Sequence, residues 1–140
     1  MKGEDPKYIF KRIYGKLDST PGEFIRGAES MHYDHCVMLT DLNKYVEDKK
    51  IPVQNIPIEE LAFTLEENYW FGHSDVSIGE VAEHYIRVHH ADLDYPIIIT
   101  DDGILDGAHR YIKAVMAGHK AIKGFYITEE QFLEIPDRCP

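Results

Sequence analysis

Apolar and polar residues alternate along Ile51-Pro-Val-Gln-Asn-Ile56, the period-two pattern of a half-buried strand, with Pro52 suited to an edge or first-strand position. Pro57-Ile-Glu-Glu-Leu61 then carries a proline and two acids where a helix start favours them. Ser77-Ile-Gly-Glu80 has the spacing of a capping box, and Ile78, Val81, Ala82, Tyr85 and Val88 follow at helical intervals. Those five residues predict an apolar stripe packed on the core. Asp94-Tyr95-Pro96 ends that helix, and Pro96-Ile-Ile-Ile-Thr100 has the continuous β-branched character of a buried strand. Asp101-Asp102-Gly103 is a hairpin turn signal leading into Ile104-Leu105-Asp106. Gly107 to Ala117 reads as a helix with Ala108, Ile112 and Val115 inward and Gly118 as its stop. Lys120 to Ile127 reads as a strand, and Thr128-Glu-Glu-Gln131 as a capping box opening a short final helix.

The first fifty residues are harder to parse. Tyr8-Ile9-Phe10 and Ile13-Tyr14 sit in a basic stretch, and Thr20-Pro21-Gly22 marks a turn. Phe24 to Leu39 shows no clean period, and Asp41 is placed to cap a charged helix reaching about Lys50. The expected organisation is an N-terminal elaboration over 1–50 and a core over 51–140. Its element order predicts a compact α+β domain with a small mixed sheet flanked by helices, not a regular βαβ array.

The chain has 140 residues and a formal charge of −10, with 44% hydrophobic residues. Such a length supports one ordinary domain, and that apolar content sets the chain apart from disordered sequences. No run approaches the roughly 20 apolar residues that span a bilayer, and Met1-Lys2-Gly3-Glu4-Asp5 lacks the apolar stretch of a signal peptide. Two cysteines, Cys36 and Cys139, are too few for a disulfide framework, so a cytoplasmic location with reduced thiols is expected. The net charge disfavours non-specific binding to duplex DNA by phosphate neutralisation.

The segment richest in candidate chemistry is Asp102-Gly-Ile-Leu-Asp106-Gly107-Ala108-His109-Arg110-Tyr111. A helix N-terminus is the positive end of the peptide dipoles, so placing His109 and Arg110 in the first turn runs against structural preference. An anion bound there would explain it: free backbone N–H groups point outward, Gly107 permits close approach, and Arg110 offers a bidentate fork. The structural alternative pairs Arg110 with Asp106 or Asp102 and packs His109 with its nitrogens satisfied.

The strand, Asp-Gly turn, strand, Gly-x-His-Arg, alanine-containing helix, glycine and strand together resemble the core of the ParB/sulfiredoxin superfamily. Ile51 to Leu61 is similar to its opening strand and helix, and Ser77 to Pro96 to the helix before its central strand. The resemblance covers roughly Ile51 to Ile127. It implies a site for the phosphates of a nucleotide or a nucleic acid, with Gly107 as the close-approach glycine, Ala108 beside it, and His109 and Arg110 as phosphate ligands. It also implies nucleotide-dependent chemistry of a phosphotransferase, NTPase or nuclease-like kind. Ala108 stands where the sulfinic-acid reductases of the superfamily carry their catalytic cysteine, which removes that activity. His109 stands where the partition proteins usually carry a second arginine.

The helix from Ser77 offers Glu80, Glu83, His84 and Arg87 where the sulfinic-acid reductases use lysine and hydroxyl side chains to hold outer phosphates. Asp101, Asp102 or Asp106 with Glu80 or Glu83 is therefore a candidate Mg²⁺ set accompanying a nucleoside phosphate. Asp106, Glu80 and His109 are the candidate catalytic groups. His32-Tyr-Asp-His35-Cys36, His73, His84 and His89-His90 are rich in ligand types but lack zinc-site spacings, so no metal is assigned to them. Tyr69-Trp70-Phe71-Gly72-His73 is a candidate base-stacking surface, Trp70 above all. The leading expectation is thus a phosphate-ligand protein built on the Gly-x-His-Arg turn. The alternative is a non-enzymatic acidic interaction protein that takes a basic protein partner. Under either reading the expected assembly is a homodimer or a complex with a protein partner.

Overall fold

The computed structural model describes residues 29–66 and 76–139. The described residues open with a β-hairpin, β1 (Glu29–His32) and β2 (His35–Met38), followed by α1 (Leu39–Asp48). Next come β3 (Val53–Pro57), a 3₁₀ stretch (Ile58–Glu66), α2 (Ile78–His90), β4 (Ile97–Thr100) and β5 (Gly103–Asp106). It closes with α3 (Ala108–Met116), β6 (Ala121–Tyr126) and α4 (Glu129–Glu134). Four strands form one mixed sheet in the order β3-β6-β4-β5. β3 pairs antiparallel with β6 and β4 antiparallel with β5, while β4 and β6 run parallel. The architecture is α+β, as the element order predicts, and no helix of the described residues is long and apolar enough to cross a membrane.

The two faces of the sheet carry two apolar clusters. On one, Ile56, Leu61, Ile97, Ile99, Ile104 and Ile122 pack with Tyr111 and Ala114 of α3. On the other, Ile98, Leu105 and Ile127 pack with Val37, Leu42 and Val46 from the hairpin and α1, and with Phe132 and Ile135. β4 is buried on both faces, which its uninterrupted Ile-Ile-Ile run requires. Part of the first fifty residues thus supplies core to the larger sheet.

Several local expectations are revised. The segment after Pro57 forms a 3₁₀ stretch and not an α-helix. The charged helix α1 begins at Leu39, two residues before Asp41. Met38 is its N-cap with no side-chain cap bond, and Asp41 accepts two hydrogen bonds from the Arg138 guanidinium instead, at 2.6 and 2.8 Å. The hairpin hidden between Phe24 and Leu39 turns on Tyr33 (φ 53°) and Asp34 (φ 56°), both left-handed as a two-residue hairpin turn of type I′ requires. The inward face of α3 centres on Arg110, Tyr111 and Ala114, with Ile112 and Val115 only partly buried.

The cysteine expectation is corrected as well. Cys36 of β2 and Cys139 form a disulfide, with Cα atoms 5.7 Å apart. Cys36 N–H also donates to Asp137 at 3.1 Å, Arg138 N–H donates to Cys36 O at 3.2 Å, and the His35 ring meets Ile135 O. Residues 135–139 are thereby strapped along β2, which brings together two thiols separated by 103 positions.

Candidate functional site

β5 delivers Asp106 to the edge of α3, and Gly107 makes the turn. Gly107 has φ +114°, a conformation that L side chains rarely adopt, and an added Cβ would lie 2.5 Å from Ile97 Cγ2. Its glycine is therefore fixed by backbone conformation and by contact with β4. Tyr111 N–H donates to Gly107 O at 2.9 Å and starts the helical ladder, while the Tyr111 hydroxyl donates to Ile58 O at 2.9 Å.

Arg110 turns into the protein and is 8% exposed. Its Nη2 lies 3.3 Å from Asp106 Oδ1, and its Nη1 donates to Pro96 O at 2.6 Å and Tyr95 O at 3.1 Å. Burial lowers the Arg110 pKa and the Asp106 carboxylate opposes that shift. Asp106 also accepts from Asn43 Nδ2 at 3.0 Å. The guanidinium expected to fork onto phosphate is thus occupied in bracing the strand-to-helix turn against the entry to β4. Asp106 is likewise committed to that brace.

His109, one residue earlier, projects toward α2. Its Nε2 lies 2.8 Å from His84 Nδ1, and the two rings stack with centroids 5.1 Å apart and planes 14° apart. Burial pushes the His109 pKa down to about 3, with the His84, Arg87 and Arg110 charges adding to the effect. His84 is lowered too, mainly by burial, with Glu83 and Glu80 opposing and Arg87 assisting. Both imidazoles are consequently neutral near pH 7, and one donates to the other. The seam that holds them is fixed by Lys113, whose Nζ donates to His89 O at 2.9 Å and Ala91 O at 2.6 Å and so closes the C-terminal end of α2. At the other end, Ser77 Oγ accepts from Glu80 N–H at 3.1 Å.

The acids named as Mg²⁺ candidates have other partners in the fold. Glu83 accepts from Arg87 Nε at 3.0 Å and Nη2 at 2.8 Å. Asp102 takes His32 Nδ1 at 2.7 Å, and Asp101 is hydrogen-bonded to Tyr126, which raises the tyrosine's pKa. Asp102 and Asp106 stand at opposite ends of β5, roughly 13 Å apart along an extended strand. Among the described residues, no group of three or more His, Cys, Asp or Glu is arranged to hold a metal ion.

His109 and Glu80 thus lie on the two elements of one seam, α3 and α2, while Arg110 and Asp106 turn away from it as a structural pair. Two contacts have no signal in the spacing: His84 with His109, 25 positions apart, and His32 with Asp102, 70 apart. Tyr69-Trp70-Phe71-Gly72-His73 lies outside the described residues. No family model, curated protein or solved structure matches the chain.

Proposed function

We propose that the chain binds a phosphate-bearing ligand, a nucleotide or the backbone of a nucleic acid, at the seam between α2 and the first turn of α3. The observation that carries this reading is the neutral, stacked His84–His109 pair beside a helix N-terminus. Two imidazoles whose charged forms are suppressed by burial are candidates for a functional site, because an incoming anion reverses the balance that keeps them neutral. A phosphate oxygen there would accept N–H bonds from the first turn of α3 and would favour proton uptake by the pair. In this reading Ala108 and His109 contribute the contacts. Gly107 and Arg110 set the path of the chain that presents them. Glu80, in the first turn of α2, keeps its candidate role as general base. A Mg²⁺ ion would enter with a nucleoside phosphate, held largely by the phosphate oxygens and water, and the reading stops at binding and derives no transfer step. A cytoplasmic location remains part of the proposal, and it implies that the Cys36–Cys139 pair is open in the cell.

The test is an NMR titration of the histidine ring protons with pyrophosphate, a nucleotide panel and a short oligonucleotide. The proposal expects saturable movement of the His84 and His109 signals and at least a tenfold loss of affinity in a folded His109→Gln variant. Unmoved signals with every ligand reject it. They would favour the second reading, a non-enzymatic protein taking a basic partner, whose support is the formal charge of −10.

A further inference from the structure

One residue of β2 carries three separate ties to the end of the chain. In a two-residue hairpin the pair flanking the turn, here His32 and His35, exchanges backbone bonds, and the next pair does not. Cys36, opposite Met31, therefore points its N–H and C=O away from β1, at the outer edge of the hairpin. Residues 137–139 occupy that edge. The Asp137 carboxylate accepts from Cys36 N–H at 3.1 Å, Arg138 N–H donates to Cys36 O at 3.2 Å, and Cys139 is bonded to the Cys36 sulfur. The strap thus covers a strand edge that would otherwise show an unpaired donor and acceptor. Its root is fixed, because Ile135 is 2% exposed and belongs to the core cluster with Phe132 and Val37. Beyond that root, Pro136, Asp137 and Arg138 are exposed.

We propose that the Cys36–Cys139 bond is a redox latch. Closed, it holds residues 136–139 over the edge of β2; reduced by a dithiol, it lets them go while the rest of the fold stays in place. The bond decides because the other ties are weak. They are the two hydrogen bonds to Cys36, a His35 ring 3.9 Å from the Asp137 carboxylate, and the Arg138–Asp41 pair, whose arginine is 63% exposed. Against them stands the conformational freedom of four residues. β2 itself needs no strap, since it pairs with β1 and sends Val37 into the core. Access favours exchange at one sulfur: Cys36 is 5% exposed, whereas Cys139 lies partly exposed on the strap. A reductant thiolate attacks the Cys139 sulfur, the disulfide breaks, and its electron pair leaves on the Cys36 sulfur. The reductant's second thiolate then attacks the reductant sulfur of the mixed disulfide, which closes the reductant's own disulfide and releases the Cys139 thiolate. The chain gains two electrons, the dithiol is oxidised, and two protons pass from it to the freed cysteines by way of water. A small-molecule disulfide drives the same steps in reverse. In a reducing compartment the latch rests open. None of its residues belongs to the α2–α3 seam, so the latch stands whether or not phosphate binds there.

Amide hydrogen exchange on the full chain, followed by NMR before and after reduction with dithiothreitol, tests the latch, with alkylation confirming two free thiols. The expected result is exchange roughly tenfold faster or more at Cys36 and Arg138, with the amides of β4 and β6 still protected. Oxidised glutathione should restore the slow rates. Cys139→Ser should show the fast rates without reductant and no response to it. Oxidised Arg138→Ala should keep the Cys36 amide slow, since the bond still holds the strap; a fast Cys36 amide there overturns the proposal. Unchanged exchange at Cys36 after complete reduction overturns it too, because the hydrogen bonds and the ion pair would then suffice. So does a bond that opens only in denaturant. Loss of protection through β4 and β6 together with the strap also refutes the latch, since the bond would then be a support of the whole fold.

Discussion

Asp106 and Arg110 form an ion pair across the turn from β5 into α3, Oδ1 to Nη2 3.3 Å, with both side chains about a tenth exposed. The guanidinium's Nη1 donates to Pro96 O and Tyr95 O, so one side chain ties the start of α3 to the entry of β4. Removing one partner of such a buried pair leaves the other charge uncompensated. Arg110→Ala is therefore expected to lower unfolding free energy by about 3 kcal/mol or more in urea titrations. Arg110→Lys should recover little of the loss, because a single ammonium cannot reproduce a planar fork that reaches a carboxylate and two carbonyls. Weakened ligand binding with full stability in Arg110→Ala would mean that the guanidinium acts on ligand and not on the fold.

Gly107 and Gly118 flank α3, both with positive φ, but only the first is enclosed. A Cβ at Gly107 meets Ile97 Cγ2 at 2.5 Å, whereas one at Gly118 (φ +77°) meets nothing within 4 Å. Gly118→Ala carries the conformational penalty alone, about 1 kcal/mol. Gly107→Ala adds overpacking against β4 and should cost about 2–4 kcal/mol. Equal losses for the two in thermal melts would show that the contact with Ile97 relaxes without cost.

Local chemistry explains which parts of this fold are legible in the sequence. Thr128 and Gln131 form a reciprocal capping box, Ser77 caps α2, and Gly118 ends α3, because each signal is complete within four residues. The Ile97–Thr100 strand is equally self-declaring. The hairpin at His32–His35 is not, since Tyr33-Asp34 occupies left-handed positions that usually advertise themselves with Asn or Gly. Periodicity located the α2 stripe but not its direction, and Ile78, Val81 and Tyr85 are exposed. Hydrophobic spacing says that residues share a face and is silent on whether that face meets the core or water. At the site, the unusual His109-Arg110 first turn is visible in sequence. Its division into an inward Arg110 and an α2-facing His109 depends on Asp106, Pro96 and His84 lying where only the fold puts them.

The Cys36–Cys139 bond closes a loop across 103 positions and secures the terminal strap on β2. In the loop-entropy view, a cross-link of that span stabilises by restricting the unfolded chain, with typical effects of about 2–4 kcal/mol. Reducing agent should lower the urea midpoint accordingly. Cys139→Ser should show the same loss and no further response to reductant. The Arg138–Asp41 pair is more than half exposed on the arginine side and cannot substitute for the bond. Trapping thiols with an alkylating reagent during lysis reads the state in the cell. Two modified cysteines fit the proposed cytoplasmic location, and none would contradict it.

His109 links stability to acidity through a depressed, not an elevated, pKa. Unfolded, its imidazole takes a proton near pH 6.5. Folded, it stays neutral down to about pH 3, held there by burial and by the His84, Arg87 and Arg110 charges. Between those values the unfolded chain binds more protons, so stability rises with pH across the window and falls as pH drops through 6.5. His84 is shifted in the same direction, and the two rings touch, so the uptake belongs to the pair. Between pH 7 and pH 5 the expected loss is about 1–2 kcal/mol. It should be measurable as a steeper decline in urea midpoint for the native chain than for His109→Gln, which keeps only His84 of the pair. Parallel declines would show that His109 is solvated and titrates normally. A saturating phosphate ligand should flatten the native curve toward the variant's, because an anion beside the pair raises the folded pKa and narrows the gap that drives the linkage.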